Sequence, residues 1–203
     1  TDPDPVKRTI AATLLSRCNT RHTIESLCSA LVIETKLYPK LALCDSLASF
    51  GKTAVDHLIP LLGKIGENQH LTPSASVFGK KSYPLPRDIA ARILIRIGSD
   101  AIPALSRLML QGEQAAVREG IDALGFICFY APNENMLIDL IKCYNRFQKD
   151  DVIRWKIAIA LRSFHSLEAE RMAEHFISEE TISIIREEAA QSMKLNKSGK
   201  QNN

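Results

Sequence analysis

The chain has 203 residues, of which 45% are hydrophobic and 24% are charged, a balance typical of globular proteins rather than disordered or fibrous ones. The formal net charge of +3 is too small to indicate nucleic-acid binding unless the cations are concentrated in one patch. No apolar run approaches the roughly 20 residues of a membrane-spanning helix, so we expect no membrane partner.

The start of the chain and its cysteines bear on the cellular compartment. The first residues, Thr1-Asp2-Pro3-Asp4-Pro5, are acidic and rich in proline, unlike the basic and then apolar start of a signal peptide. The chain does not begin with Met, which is compatible with the removal of an upstream segment. The five cysteines are odd in number and widely spaced, a pattern typical of reduced thiols rather than of a disulfide framework. We therefore expect a cytoplasmic protein.

Apolar residues recur at steps of three and four along nearly the whole chain, which is the spacing of one face of an α-helix. No segment shows the apolar–polar alternation of a half-buried β-strand, so the sequence predicts an all-α fold. The predicted elements are a leading helix over 5–17 and five helix pairs, over 22–36 with 39–50, 53–65 with 86–97, 100–110 with 114–130, 134–147 with 151–164, and 167–178 with 180–195.

Glycine, proline and acidic residues mark the predicted helix ends. Gly51 and Gly98 follow apolar runs, where a left-handed backbone at a helix end needs a residue without Cβ. Prolines are tolerated in first helical turns, and those expected there are Pro39, Pro86 and Pro103. The residues expected to cap helix N-termini are Asp100, Asn133 and Asp151.

An internal repeat supports the helix pairs. Residues 39–61 match residues 86–108 at a constant offset of 47, without a gap. In this register Pro39 falls on Pro86 and Gly51 falls on Gly98, and the apolar positions between and after them also coincide. Repeats of this length indicate an array in which each helix pair buries its apolar face against its neighbours.

Two later segments carry a family resemblance. Val117-Arg118 with Ala123-Leu124-Gly125, and Ile153-Arg154 with Ala158, Ala160 and Leu161, resemble the second helix of HEAT repeats, including those of phycobilisome-lyase type. In the first segment Val-Arg lies one residue closer to Ala-Leu-Gly than in the family pattern, and in the second Arg162 replaces the glycine. The resemblance covers roughly residues 20 to 195. It implies a right-handed α-solenoid of about five HEAT-like helix pairs, whose second helices line the concave face.

The domain prediction is a single repeat domain over 1–195, interrupted by a long insertion loop over 66–85. Loops of this length are uncommon in compact domains and are often either functional or disordered. The insertion carries the side chains Phe78, Lys80, Lys81 and Tyr83, so it is either a mobile surface segment or a binding loop. The polar residues 196–203 are expected to form a disordered tail.

A row of cations follows the predicted second helices. It comprises Lys40, Arg87, Arg118, Arg154 and Arg186, with Arg92, Arg96, Lys156 and Arg162 on the same helices. On a solenoid such a basic ladder would line a groove for an acidic peptide or a nucleic acid. The alternative is internal pairing with neighbouring carboxylates, for which Asp45, Asp88, Asp122, Asp150 and Asp151 are available.

The sequence predicts no catalytic residue, no metal ligand and no cofactor. The five histidines lie far apart, and none forms the His-x-x-x-His spacing of a helical zinc site. Four cysteines, Cys28, Cys44, Cys128 and Cys143, fall within apolar helical stripes, where a small buried hydrophobic residue is expected rather than a nucleophile.

Three functions follow from these patterns. The first is a non-catalytic scaffold that recognises a protein partner through the concave second-helix face, the 66–85 loop, or both. The alternative is a nucleic-acid-binding HEAT-like protein that uses the basic ladder. The third is a lyase-like or chaperone-like enzyme subunit, which rests on fold analogy alone. The binding residues predicted for the first two are Lys40, Arg87, Arg118, Arg154, Arg162, Phe78, Lys80, Lys81 and Tyr83.

Overall fold

The computed structural model describes residues 2–74 and 82–200, with side chains described as far as residue 196. These residues form α-helices and short 3-10 helices without any β-strand, which confirms the all-α prediction. The α-helices are α1 (Pro5–Leu15), α2 (Arg21–Ile33), α3 (Leu37–Ser49), α4 (Lys52–Leu58), α5 (Ile89–Ile97), α6 (Ile102–Gln111), α7 (Gln114–Tyr130), α8 (Met136–Arg146), α9 (Asp151–Ala160), α10 (Leu167–Glu179) and α11 (Ser183–Lys200). Three 3-10 helices extend or precede them, at Ile59–Leu61, Gly98–Ala101 and Leu161–Ser163.

The helices contact one another in a regular order. Each odd-numbered helix packs against the next odd-numbered helix, from α1 to α11, and this series is called the odd-numbered row. Each even-numbered helix packs against the odd-numbered helix that follows it, and α2 with α4 and α6 with α8 also contact each other. The apolar core lies between these two layers, because each amphipathic helix turns its apolar face toward the other layer.

The 47-residue repeat is reproduced in the backbone. Gly51 and Gly98 both adopt positive φ, 57° and 78°, two residues after the end of α3 and directly after α5. Only a residue without Cβ takes this conformation readily, so the two predicted glycine ends are confirmed. The aligned residues Leu47 and Leu94 are both completely buried. The two segments therefore share burial and turn geometry as well as sequence.

Other predicted helix ends differ from the structure. Asp100 lies inside a 3-10 helix and caps nothing, Asn133 is two residues before the actual N-cap of α8, and Asp150 caps α9 in place of Asp151. Pro86 precedes α5 because the Asp88 carboxylate accepts the backbone N–H of Ala91 and starts the helix there. Acceptor side chains compete for each helix start, and the tertiary position of the chain decides between them.

The C-terminal helix extends beyond the predicted start of the polar tail. α11 continues to Lys200, five residues past the predicted domain limit of 195. Asn196 is buried, and its amide donates hydrogen bonds to the carbonyl oxygens of Leu161 and Phe164 at 3.1 and 2.7 Å. These bonds fix the helix where composition alone indicated a disordered segment. Within the described residues, no helix has the length and apolar character needed to cross a membrane.

Candidate protein-binding surface

Most cations of the predicted basic ladder bond to other groups within the molecule. Arg118 on α7 donates to Asp150 at 2.8 Å, and Arg154 on α9 donates to Glu180 at 2.7 Å. Burial alone would raise the pKa values of both carboxyls, but the hydrogen bonds from the two arginines lower them below the usual range. Each arginine thus links one helix of the odd-numbered row to the beginning of the next, as the pairing alternative proposed.

Arg162 lies inside the protein. Only 1% of the residue is exposed, and its guanidinium donates to the Glu188 carboxylate at 2.8 Å and to the Ile159 carbonyl at 3.0 Å. A macromolecular partner could reach this side chain only by separating α9 from α11. The structure therefore removes Arg162 from the candidate binding residues.

Lys40 and Arg87 do not bond to a carboxylate among the described residues. Lys40 is half-buried on α3 and Arg87 is exposed just before α5, and neither makes an ion pair within the described residues. Arg186 on α11 donates to the carbonyl oxygens of Glu180 and Thr181, both at its own helix start. Two predicted binding cations are therefore available to a partner, one on α3 and one just before α5.

The predicted binding loop is fastened to the odd-numbered row at both ends. Near its C-terminal end Tyr83 is only 3% exposed, and its ring lies 6.0 and 5.8 Å from the rings of Phe126 and Phe129 on α7. Tyr83 is thus an anchor rather than a contact residue for a partner. Phe78, Lys80 and Lys81 lie outside the described residues.

The N-terminal end of the same loop is fastened by two polar side chains. Gln69 donates to the Asp88 carboxylate at 3.0 Å, and the His70 ring stands edge-on to Trp155 with ring centroids 4.7 Å apart. Burial lowers the pKa of His70 to about 4, so the imidazole is neutral at pH 7. The loop therefore covers part of α7 and α9, where the sequence placed an open binding face.

A buried charge cluster links α7 to α9 beside this loop. The Lys156 ammonium lies 2.9 Å from both the Glu119 and the Asp122 carboxylates, and Lys156 and Glu119 are almost completely buried. Burial opposes the charge on Lys156, but the two carboxylates outweigh it and raise the lysine pKa. A single lysine in the apolar run from Val152 to Leu161 was the available signal. The partners, more than 30 residues earlier in the chain, could not be read from it.

The most exposed apolar region lies elsewhere, on the first three helices. Of the fifteen large apolar side chains exposed among the described residues, nine belong to α1, α2 and α3. They are Val6, Ile10, Leu14, Leu15, Val32, Ile33, Leu37, Tyr38 and Leu41, and together they form the N-terminal apolar surface. Contiguous exposed apolar patches can mark interaction sites, so this concentration makes the first three helices the candidate binding surface.

This surface is not among the predicted binding residues, although the spacing of its apolar side chains is visible in the sequence. Val6, Ile10 and Leu14 recur every four residues and form a stripe on α1, on the side away from the buried Ala12. A groove of about 440 Å³ runs beside the stripe, between α1 and α2, and Ala11, Leu15, Ala30, Ile33 and Leu43 are among its lining residues. An apolar stripe on a single helix does not say which of its faces the fold will cover.

Four of the cysteine thiols have the raised pKa values that burial causes. Burial raises the pKa of Cys28 and Cys44 to about 11 and that of Cys128 and Cys143 to about 12, so these thiols stay protonated at neutral pH. Among the described residues no group of three or more His, Cys, Asp or Glu side chains is placed to hold a metal ion.

No protein family and no curated protein sequence matches this chain.

Proposed function

We propose that this chain is a non-catalytic scaffold of the α-solenoid type, in which α1 is followed by five HEAT-like helix pairs, α2–α3 through α10–α11. The stepwise contacts along the odd-numbered row and the pairing of each even helix with its successor support this proposal. The 47-residue repeat, with its glycines of matching conformation, supports it independently.

The proposed activity is recognition of a protein partner through the N-terminal apolar surface. The observation that carries it is the concentration of nine large exposed apolar side chains on three adjoining helices. Tyr38 is 75% exposed and Leu41 is 49% exposed on α3, where Lys40 supplies a cation without an intramolecular ion pair among the described residues. Aromatic and aliphatic anchors with a polar border are the usual composition of a protein interface.

The proposed location of binding differs from the predicted one within the same function. The second-helix row still contributes through α3, but the insertion loop is anchored over α7 and α9 by His70 and Tyr83. A contribution of the loop to binding would come from Phe78, Lys80 and Lys81. The thiols of the five cysteines are free, which supports the proposal of a reducing compartment such as the cytoplasm.

The nucleic-acid alternative has less support than the ladder suggested. Arg118 and Arg154 are bound to carboxylates and Arg162 is buried, so Lys40 and Arg87 are the predicted binding cations that make no ion pair among the described residues. Titrating a labelled duplex at two salt concentrations tests the alternative, because the salt dependence of the affinity counts the phosphates contacted. The lyase-like alternative rests on the family resemblance alone.

Affinity purification from the source cells tests the proposed function with a matched pair of surface variants. The variant Tyr38→Asp/Leu41→Lys alters the N-terminal apolar surface, and Tyr130→Asp/Ile138→Lys makes the same chemical changes at exposed positions on α7 and α8. We expect a stoichiometric protein partner that is retained by the second variant and lost from the first. Loss from both variants, or recovery of nucleic acid as the main component, contradicts the proposal.

A further inference from the structure

The first and last parts of the chain are related by a second, longer repeat. Residues 4–49 and residues 150–195 align at a constant offset of 146 without a gap. The identical pairs are Asp4 with Asp150, Val6 with Val152, Arg8 with Arg154, Ala12 with Ala158, Leu15 with Leu161, Glu34 with Glu180, Thr35 with Thr181, and Ser46 with Ser192. In this alignment α1 corresponds to α9, α2 to α10, and α3 to α11.

Aligned polar residues make the same bonds in both places. Arg8 donates to Glu34 at 2.7 Å, as Arg154 does to Glu180 at 2.7 Å. Ser46 donates to the carbonyl of Ala12 at 2.8 Å, and the aligned serine, Ser192, donates to the carbonyl of Ala158 at the same distance. The two three-helix units are therefore built alike, and the surroundings of α9 show what an α1-type helix normally contacts.

The aligned stripes differ in whether they are covered, and in one position where Lys156 of α9 aligns with Ile10 of α1. On α9 the stripe consists of Val152, Lys156 and Ala160, which are at most 2% exposed because α7 and α8 pack against this helix. On α1 the aligned residues are Val6, Ile10 and Leu14, which are 62%, 54% and 56% exposed. The described residues supply no counterpart of α7 and α8 at this end of the row.

Asp4, the acidic N-cap of α1, accepts hydrogen bonds from the described residues with only one of its two carboxylate oxygens. At α9, one Asp150 oxygen accepts backbone N–H groups while the other accepts Arg118 at 2.8 Å and the Gln114 amide, both from α7. At α1, one Asp4 oxygen accepts the N–H of Val6 at 2.8 Å, and no described residue donates to the other. Asp4 thus presents a free carboxylate oxygen at the position where α9 receives an arginine.

The groove between α1 and α2 completes the comparison. Phe176 on α10 packs against Tyr144 of α8, with ring centroids 5.2 Å apart. The residue aligned with Phe176 is Ala30 on α2, which lines the groove of about 440 Å³. The small alanine and the uncovered stripe leave space beside α1 and α2 where the later unit holds an aromatic ring of α8.

We propose that this end of the molecule, formed by α1 and α2, binds an amphipathic helical hairpin of a partner protein. One helix of the hairpin covers the stripe of Val6, Ile10 and Leu14 and supplies an arginine to Asp4. The other inserts an aromatic or large aliphatic side chain into the groove beside Ala30. This inference deepens the proposed function and rests on it, since it names the kind of partner that the N-terminal apolar surface accepts.

The chain itself provides a probe of this chemistry. Because residue 150 aligns with residue 4, residues 113–149 can be joined directly before Asp4 to place copies of α7 and α8 in register with α1. The appended copy carries Glu119→Leu and Asp122→Ala, because α1 has Ile10 in the position where Lys156 pairs with these two carboxylates. Accessibility is read by maleimide labelling of Ile10→Cys in a Cys18→Ser background, with Ile138→Cys in the original α8 as the matched exposed control. Both labelled positions are about half exposed in the parent chain.

We expect the extension to slow labelling at position 10 by about tenfold or more, while labelling at position 138 is unchanged. We also expect Tm to rise by about 5 °C, because a new interface between units is formed. Arg118→Ala in the appended copy should reverse part of both effects. Unchanged labelling at position 10 together with unchanged Tm overturns the inference.

A second measurement tests the inference in case the extended chain does not fold. A fluorescein-labelled peptide of residues 113–149 that carries Glu119→Leu and Asp122→Ala is titrated with the parent chain, and with its Ile10→Lys and Asp4→Ala variants, up to about 100 µM protein. Saturable binding that Ile10→Lys weakens about tenfold or more supports the inference, and no binding overturns it. Sedimentation of the parent chain gives the other occupant: a dimer that Ile10→Lys dissociates means that a second copy covers α1, which also overturns it. Loss of the partner from Tyr38→Asp/Leu41→Lys reports on the proposed function separately, because Ile10 and Asp4 are unchanged there.

Discussion

The hydroxyl of Tyr83 occupies the space in which a side chain at Gly125 would begin, since an ideal Cβ on Gly125 would lie only 2.0 Å from it. This contact joins the end of the insertion loop to the middle of α7. We expect Gly125→Ala to expel the tyrosine ring and to lower the free energy of unfolding by about 1–3 kcal/mol. Urea unfolding measures the loss, and limited proteolysis should show faster cleavage within the loop.

Tyr83→Phe is the control for this prediction. The Tyr83 hydroxyl is buried without a hydrogen-bond partner among the described residues, so its removal should leave stability unchanged or raised. Equal stability of Gly125→Ala and the parent chain would mean that the loop is not fastened at this point.

Substitutions of Arg162 and of Arg87 should differ strongly in their effects on the free energy of unfolding. Arg162→Met leaves the Glu188 carboxylate buried without its cation, which is expected to cost about 3–5 kcal/mol of unfolding free energy. Arg87→Met alters an exposed cation without an ion pair in the described part of the chain and should change stability by less than about 0.5 kcal/mol. Thermal unfolding of both variants distinguishes the two positions, and similar Tm values would contradict the burial of Arg162.

The buried cluster around Lys156 predicts a pH dependence of stability. Burial raises the pKa of Glu119 to about 7 from an ordinary value of 4.5, against the opposing effect of Lys156. At Glu119 the folded protein therefore holds more protons than the unfolded chain between these values, and the contribution of this group to the free energy of unfolding should fall as pH rises from about 4.5 to 7. Glu119→Gln should remove this part of the dependence. Urea unfolding at pH 5 and pH 8 is the measurement, and parallel losses in parent and variant would refute the assignment.

The ion pair between Arg8 and Glu34 predicts the opposite slope at lower pH. The hydrogen bond from Arg8 lowers the pKa of Glu34 to about 2, from an ordinary value of 4.5. The carboxylate therefore stabilises the fold above pH 4.5, and this contribution is lost as pH falls toward 2. Glu34→Gln and Arg8→Met should each flatten acid unfolding between these values. An unchanged acid transition in both variants would show that the pair does not contribute.

The fold followed from the sequence where local chemistry determines it. The spacing of apolar residues located every helix, and the shared requirement of Gly51 and Gly98 for positive φ tied the repeat to a backbone feature. N-caps such as Asp150 were misplaced by one residue, because its neighbour Asp151 is an equally good acceptor by type. Asn196 was assigned to a tail because its composition is polar, whereas its amide finds buried carbonyl partners.

The candidate site followed from the sequence less well, for reasons of distance along the chain. Whether Arg162 faces solvent depends on Glu188, and whether Lys156 does depends on Glu119, 26 and 37 residues away respectively. Periodicity identifies the face of a helix but not what covers it. The sequence therefore predicts that Ile10 lies on a helix but not that its side chain is exposed. The aligned residue Lys156 also lies on a helix, yet it is completely buried.

The central claim, that the N-terminal apolar surface binds a protein, is tested most directly by photo-crosslinking in the source cells. A benzophenone side chain at Tyr38, which is 75% exposed, is compared with the same side chain at Tyr130, which is 58% exposed. We predict one discrete protein adduct from position 38, resistant to nuclease and absent from position 130. Equal patterns at the two positions, or adducts that nuclease removes, would contradict the claim.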